Sequence, residues 1–160
     1  SVVTIDPGRQ IIGVNGQIID EVLQVFSEVE KCLDNQDIKT DKSARFYELI
    51  ASYEFDTSQN PIERIGDILS KNRFISEAEE IFGEPLSAFT LRLVSKGRIP
   101  DQENWIDVTV EPSVIRPNRS YVLSVVYRNE QRDKVMSFSK ELEKRVHELI
   151  ELLEEDQSKD

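Results

Sequence analysis

The chain has very few of the residues that build covalent or metal-dependent sites. Its 160 residues include one cysteine, Cys32, and one histidine, His147. A single cysteine excludes a disulfide within the chain and a metal cage built from several thiolates. A catalytic Cys–His pair would require Cys32 and His147 to meet in space, and a Ser–His–Asp set has only His147 to use. Because its neighbours Val29 and Leu33 are apolar, we expect Cys32 to be a small buried side chain.

Phosphate-binding loops and long apolar runs are also missing. The six glycines form neither GxGxxG nor GxxxxGK[ST], so no nucleotide site is predicted. No stretch approaches the roughly 20 apolar residues of a membrane span, and the first residues do not resemble a signal peptide. We therefore expect a non-catalytic protein with no cofactor and no bound metal. We also expect no membrane association, and a reducing, cytoplasmic location.

Positive charge is scarce. The chain has 31 acidic and 20 basic residues, a formal charge of -11, which repels nucleic acid and anionic lipid at long range. Nucleic acid is therefore not an expected partner. Residues 92–134 differ, because eight basic residues there face six acidic ones, a local charge of +2. We interpret this segment as cross-strand ion pairs on a solvated sheet face, the alternative being a spot for an anionic ligand or an acidic partner.

The first 34 residues predict a hairpin followed by a helix. Residues 2–5 and 10–14 are short β-branched runs on either side of the turn-forming sequence Asp6-Pro7-Gly8-Arg9. From residue 18 the apolar residues recur at spacings of three and four, which indicates a helix of about four to five turns. Its apolar side is wide. We therefore expect this helix to contact more than one neighbour, either two elements of its own domain or a second subunit.

Four further segments predict strands, at residues 50–55, 86–96, 105–115 and 121–128. The second and third alternate apolar and polar residues, which is typical of an antiparallel sheet with one face toward water. The fourth has large groups on both faces and is predicted to be central or covered on its other side. Two helices are expected between the first two strands, one starting at Pro61 and one capped by Ser76. A final amphipathic helix, residues 131–155, should cross the sheet.

These elements predict an α+β fold, with an antiparallel sheet of about four strands packed against a long C-terminal helix. The order of elements from residue 50 resembles the helix-grip layout, although no residue motif names a family. We expect residues 1–160 to form a single domain: a hairpin and helix (1–34), a polar linker (35–43), an α+β core (44–155) and an acidic tail (156–160). Because carboxylates at a helix C-terminus oppose its dipole, fraying is expected beyond Leu153 unless a basic group meets them.

Three functions remain as hypotheses, of which the third is an enzyme that uses acidic residues and the arginine cluster. The first is a non-catalytic interaction module that binds a protein partner or itself, with a homodimer as the expected assembly. Its candidate contact surface is Trp105, Phe26 and Ile19, because tryptophan on the polar side of a strand and a helix with a wide apolar side are typical of interfaces.

The alternative function is a carrier or sensor of a small apolar ligand. A sheet that curves around a helix can leave a gap between the two. The candidate pocket residues, three from the predicted strands 86–96 and 105–115, one from 121–128 and two from the last helix, are Phe89, Leu91, Val108, Tyr121, Phe138 and Leu142.

Overall fold

The computed structural model describes residues 1–70 and 73–155. Within them the protein is of the α+β class, as predicted, with a two-stranded and a four-stranded antiparallel sheet. The elements are β1 (Val2–Asp6), β2 (Ile11–Asn15), α1 (Ile19–Asp34), α2 (Thr40–Ser43), β3 (Tyr47–Asp56), α3 (Pro61–Ser70), α4 (Arg73–Phe82), β4 (Leu91–Val94), β5 (Trp105–Pro112), β6 (Ser120–Asn129) and α5 (Arg132–Glu154).

The larger sheet has the strand order β3-β6-β5-β4. Strand β6 is therefore central, which confirms the prediction drawn from its apolar residues on both faces. Ten residues of β3 pair with β6, from Tyr47 opposite Asn129 to Asp56 opposite Ser120. On the core face of β6, Tyr121, Leu123 and Val125 are at most 2% exposed. The neighbours on either side thus shield both edges of this strand.

Helix α5 covers the core face of the sheet. The predicted apolar stripe is confirmed, because Leu142, Val146 and Leu153 are buried and Phe138 and Leu149 pack against them. The Phe138 ring stacks on Tyr127 of β6, with centroids 4.0 Å apart and planes at 14°. Burying a Leu or Val side chain contributes about 1.5 to 3 kcal/mol. The contact between α5 and β6 is therefore the main source of core stability.

The hairpin and α1 form a separate N-terminal unit beside this core. Strands β1 and β2 pair only with each other among the described residues, and α1 contacts β2, α2 and α5. An ion pair fixes α1 to the start of α5. The Arg132 Nε lies 2.8 and 2.7 Å from the two carboxylate oxygens of Glu30, which is 8% exposed. These hydrogen bonds raise the pKa of the Arg132 guanidinium.

The C-terminal end of α5 is held by α3 and the loop before it. Arg64 of α3 donates from its guanidinium to the carbonyls of Leu153 and Glu155, and the Gln59 amide donates to the Glu154 carbonyl. The helix continues to Glu154. Arg64 is thus a basic group beside the last carbonyls of α5, where it offsets the helix dipole, and the expected fraying beyond Leu153 stays a prediction.

Several predicted boundaries are wrong. The strand predicted at 86–96 is only β4, since residues 86–90 form no strand, and β5 ends at Pro112 rather than at residue 115. Helix α4 starts at Arg73, so Ser76 is no cap; its hydroxyl instead donates to the Arg73 carbonyl. Cys32 is exposed rather than buried. The predicted acidic tail, residues 156–160, lies outside the described residues, and the single-domain organisation stays a prediction.

Replacing Arg64 with glutamine should lower the free energy of unfolding by about 1 to 3 kcal/mol, because the carbonyls at the end of α5 lose charge-assisted hydrogen bonds. Urea unfolding followed by circular dichroism measures the loss. Lys144→Gln is the matched control, since Lys144 forms an exposed pair with Glu148 on the same helix and should change stability by less than about 0.5 kcal/mol. Equal losses in both variants would show that Arg64 does not hold the helix end.

Glu30→Ala should cost about 2 to 3 kcal/mol, because it leaves Arg132 partly buried without its carboxylate. The loss is smaller than for a fully buried pair, since the Arg132 side chain is 33% exposed. A double-mutant cycle with Arg132→Ala should give a clear coupling energy. Glu141→Ala, which breaks an exposed pair with Arg145 on the same helix, is the control. Additive effects of Glu30→Ala and Arg132→Ala would contradict this role of the pair.

Candidate interaction surface

Trp105 does not contribute to an exposed surface. It is the first residue of β5 and only 6% exposed. It pairs in register with Arg128, on the sheet face opposite α5. Arg128 stacks on the Phe46 ring at 4.3 Å and donates to the carbonyls of Pro100 and Gln102. The loop before β5 is thus held beside Trp105, which corrects the placement of this residue in the candidate contact surface.

Phe26 and Ile19, the other two candidates, are half-buried within the chain. The Phe26 ring meets Tyr47 edge to face, with centroids 6.4 Å apart and planes at 83°. Ile19 packs against the main core, on the α5 side of the sheet. The wide apolar side of α1 therefore has neighbours inside its own chain, namely β2, α2 and α5. The structure does not place Trp105 with these two residues, since it lies on the other sheet face.

Five of the six candidate pocket residues belong to the packed core. Tyr121 and Leu142 are at most 1% exposed, and Leu91, Val108 and Phe138 pack against the same cluster. Phe89 lies outside that cluster and is 53% exposed. The candidate residues are packed in the core because the large Phe138 and Tyr127 rings and the Leu142 side chain fill the space between sheet and helix.

Two grooves lie instead on the outer side of α3, and none of the six candidate pocket residues lines either of them. The first, of about 320 Å³, runs between α3, α4 and residues 86–88, and the second, of about 410 Å³, lies at the start of α3. Glu63 and Asp67 line both grooves. The first groove also presents Ile75, Leu86 and Ala88, whereas the second is mainly polar and offers an apolar ligand little to contact.

Tyr121 is the candidate pocket residue with the most unusual chemistry. Its hydroxyl is buried and has no hydrogen-bond partner among the described residues. Burial, and secondarily the charge of Glu154, raises the pKa of this phenol to about 12. Arg64 acts in the opposite direction but does not cancel the shift. The side chain therefore stays neutral in the folded protein and serves as an apolar core residue.

Neither His147 nor the arginines gather into a site. His147 is on the exposed side of α5, with its ring edge to face with Phe55 at 5.2 Å and its Nδ1 2.8 Å from the Glu143 carbonyl oxygen. Within residues 1–70 and 73–155, no group of three His, Cys, Asp or Glu side chains is arranged to hold a metal ion. No helix in those ranges is long and apolar enough to cross a bilayer.

Ion pairs account for much of the basic segment at residues 92–134. Arg92 donates two hydrogen bonds to Asp107 on the neighbouring strand, at 3.0 and 2.6 Å. Arg128 pairs with Glu48, its register partner on β3. Arg116 lies 3.1 Å from Glu54. The interpretation of this segment as cross-strand pairs on a sheet face is confirmed for Arg92 and Arg128.

Exposed apolar side chains occur in several parts of the described chain. At the turn after β5, Val114 and Ile115 are 93% and 86% exposed. On α4, Phe74, Ile81 and Phe82 are exposed beside several glutamates. A further group lies on and around β4, and its members are Leu86, Phe89, Leu93, Val94 and Ile99. The N-terminal hairpin carries a group of the same size, made of Val2, Val3, Ile5, Ile11 and Ile12.

The hairpin has a continuous apolar face made of two cross-strand pairs. Val3 lies opposite Val14, and Ile5 opposite Ile12. Because paired residues of an antiparallel sheet point to the same side, these four side chains form one patch, named here the hairpin face. Ile5 is 66% exposed, so the patch is only partly covered by its own chain. An isolated two-stranded hairpin is marginally stable in water and gains from a partner.

The hairpin strands lack the features that protect other sheet edges. The edge strands of the larger sheet carry charges, with Glu48 and Glu54 on β3 and Arg92 on β4. Strands β1 and β2 have one charged residue, Asp6, at the turn. Charged residues and prolines on an edge normally prevent pairing with another chain. The strand edges of the hairpin are therefore open to such pairing.

The distribution of charge along the sequence contains a signal for this surface. Residues 10–19 form the longest run without charge in a chain with 51 charged residues among 160 (31 acidic plus 20 basic). Apolar residues on both sides of a two-stranded sheet leave at least one side uncovered. Comparison with protein-family models, curated proteins and solved structures finds no match.

The stability of the protein should fall between about pH 10 and pH 12, because Tyr121 ionises near pH 10 when unfolded but only at about 12 when folded. Its contribution is fully present below pH 10 and is lost as the pH rises through the folded pKa. Tyr121→Phe should flatten this fall, as measured by urea unfolding at a series of pH values. At pH 7 it should leave the free energy of unfolding within about 1 kcal/mol of the wild type, since the hydroxyl has no described partner. An unchanged pH profile would contradict the assignment.

Proposed function

We propose that this protein is a non-catalytic interaction module whose hairpin face binds a protein partner or a second copy of the chain. The observation that carries the proposal is the exposed, uncharged hairpin, which pairs with no other strand among the described residues. Contiguous exposed apolar patches on a folded protein mark contact sites. The proposed contact surface is therefore the hairpin that precedes α1, in place of the predicted residues of α1 and β5.

The charge distribution supports the hairpin over the exposed groups on α4 and at the turn after β5. Residues 1–16 contain one acid and one base, Asp6 and Arg9, which pair with each other at 3.7 Å. The chain as a whole carries -11, so the hairpin is a region where another acidic surface meets little repulsion. On α4, by contrast, Glu77 and Glu80 flank the apolar residues, and the turn after β5 offers only Val114 and Ile115.

The anchoring of α1 supports a contact of fixed geometry. The Glu30–Arg132 ion pair and the packing of Ile19 hold α1 against the core, and α1 contacts β2. The hairpin is thereby presented by a helix that cannot move freely. A surface fixed in this way loses less conformational entropy on binding than a flexible segment does.

The ligand-carrier alternative has no comparable support. Its candidate residues Tyr121 and Leu142 are fully buried in the core, and the grooves on α3 are lined by Glu63 and Asp67. The enzyme hypothesis would need several perturbed acidic groups in one cleft. We therefore retain a single proposal.

The double variant Ile5→Thr, Ile12→Thr should weaken association at least about tenfold, because the two isoleucines together lose contacts worth more than about 1.4 kcal/mol. Sedimentation velocity over a wide concentration range measures self-association. A photo-crosslinking residue placed at position 3, on the hairpin face, captures a foreign partner. Val114→Thr, Ile115→Thr is the matched control, since it removes two exposed apolar side chains of a turn.

If the control weakens association and the hairpin variant does not, the contact surface is elsewhere and the proposal fails. If the wild-type protein does not self-associate and the chain forms no specific crosslink from position 3, the hairpin is not an interaction surface.

A further inference from the structure

The outer edge of β1 is the most accessible strand edge of the hairpin. Every β1 residue from Val2 to Ile5 is exposed, whereas Gly13 and Val14 of β2 are half-buried. Helix α1 contacts β2, which places the helix on that strand's side of the unit. Among the described residues β1 pairs only with β2, so its other edge presents backbone N–H and C=O groups without strand partners.

The sequence of β1 is self-complementary when it is paired antiparallel about its middle residue. With Thr4 opposite Thr4 of a second copy, Val3 lies opposite Ile5 and Val2 opposite Asp6. Thr–Thr and β-branched pairs are among the favourable cross-strand combinations. Such a pair is isologous and closes with two-fold symmetry, so it yields a dimer rather than a filament.

We infer that two copies of this chain pair through β1 in this register and form one continuous four-stranded antiparallel sheet. This inference rests on the proposed function and identifies the partner at the hairpin as a second copy of the chain. Val3 and Ile5 are on the hairpin face with Val14 and Ile12. In the dimer the two hairpin faces join, because Val3 of one copy stands beside Ile5 of the other.

Charge favours a second copy at this edge. Asp6 is the only charged residue of β1, and its carboxylate accepts from the Arg9 backbone N–H at 3.0 Å and pairs with the Arg9 guanidinium. The two strands therefore meet without a net charge on either, although each chain carries -11. The longer β3 edge bears Glu48, Glu54 and Asp56 with their ion-pair partners Arg128 and Arg116, and charged side chains on an edge disfavour pairing with another chain.

Pairing into a four-stranded sheet would also stabilise the hairpin. A hairpin alone is marginal in water, while three or more strands with an apolar face form an independently stable sheet. Main-chain hydrogen bonds supply the affinity in such edge-to-edge pairing, and the alternating side chains supply its register. The joined hairpin faces provide the apolar side.

A cysteine crosslink tests the register directly. In the full chain with Cys32→Ser, Thr4→Cys places two thiols opposite each other, with Cα atoms about 4.5 to 5.5 Å apart, within the range a disulfide spans. Mild oxidation should convert most of the protein to a linked dimer. Val2→Cys is the matched control, since the two Val2 positions are four residues out of register, roughly 13 Å along the strand, and should not crosslink. Equal crosslinking of both variants would overturn the register.

A charge at the two-fold axis tests the pairing without oxidation. Thr4→Lys places two ammonium groups opposite each other, so the dimer should be at least about tenfold weaker by sedimentation velocity. Within the monomer the substitution removes only the exposed hydrogen bond that the Asn15 amide donates to the Thr4 hydroxyl. Lys substitution at Ser58, an exposed loop position, is the control.

The outcomes separate this inference from the proposed function. A wild-type dimer that survives Thr4→Lys and does not crosslink at position 4, but is lost in Ile5→Thr, Ile12→Thr, keeps the hairpin as the interaction surface and overturns the β1 pairing. A wild-type chain that stays monomeric while position 3 crosslinks to a foreign protein likewise overturns the second copy as occupant.

Discussion

The packing of α5 across β6 is the contact on which the rest of the structure depends. Strand β6 receives hydrogen bonds from β3 on one side and β5 on the other, and its core face lies under the helix. The Tyr127–Phe138 stack and the burial of Leu142 and Val146 fix the position of the helix along the strand. The N-terminal unit and α3 are attached to the two ends of this helix. A shift of α5 would therefore disturb both attachments.

Arginine holds each of these attachments by a different kind of contact. At the start of α5, Arg132 receives a carboxylate from α1, so the partner is a side chain. At its end, Arg64 of α3 donates to main-chain carbonyls that the helix itself leaves unpaired. The guanidinium suits both roles, because it has five donors in a planar arrangement and does not lose its charge. These polar contacts add to the apolar packing of Ile19 on α1 and of Ile65 and Ile68 on α3 in orienting the two helices.

The fold was largely predictable from the sequence because its main patterns are local. The alternation in β5, the apolar stripe of α5 and the two apolar faces of β6 each follow from the period of one element. The contacts that join elements were not predictable. Nothing in the sequence near Arg64 indicates that it contacts a residue 89 positions away. The alternation around Trp105 predicts which face of the sheet it lies on, but it does not predict the loop that covers it. The hairpin was predicted as an element, whereas its isolation from the larger sheet depends on packing of the whole chain.

The burial of Trp105 determines what the protein's own fluorescence can report. It is the only tryptophan, and it sits where β5 pairs with the end of β6 near Arg128. Its emission therefore records whether the four-stranded sheet is intact, and it is separated by that sheet from α5 and the attached N-terminal unit. A probe in this position responds to unfolding of the core and is expected to change little when two hairpins meet. The fluorescence of Trp105 therefore reports on folding of the core, whereas assembly has to be followed by another measurement.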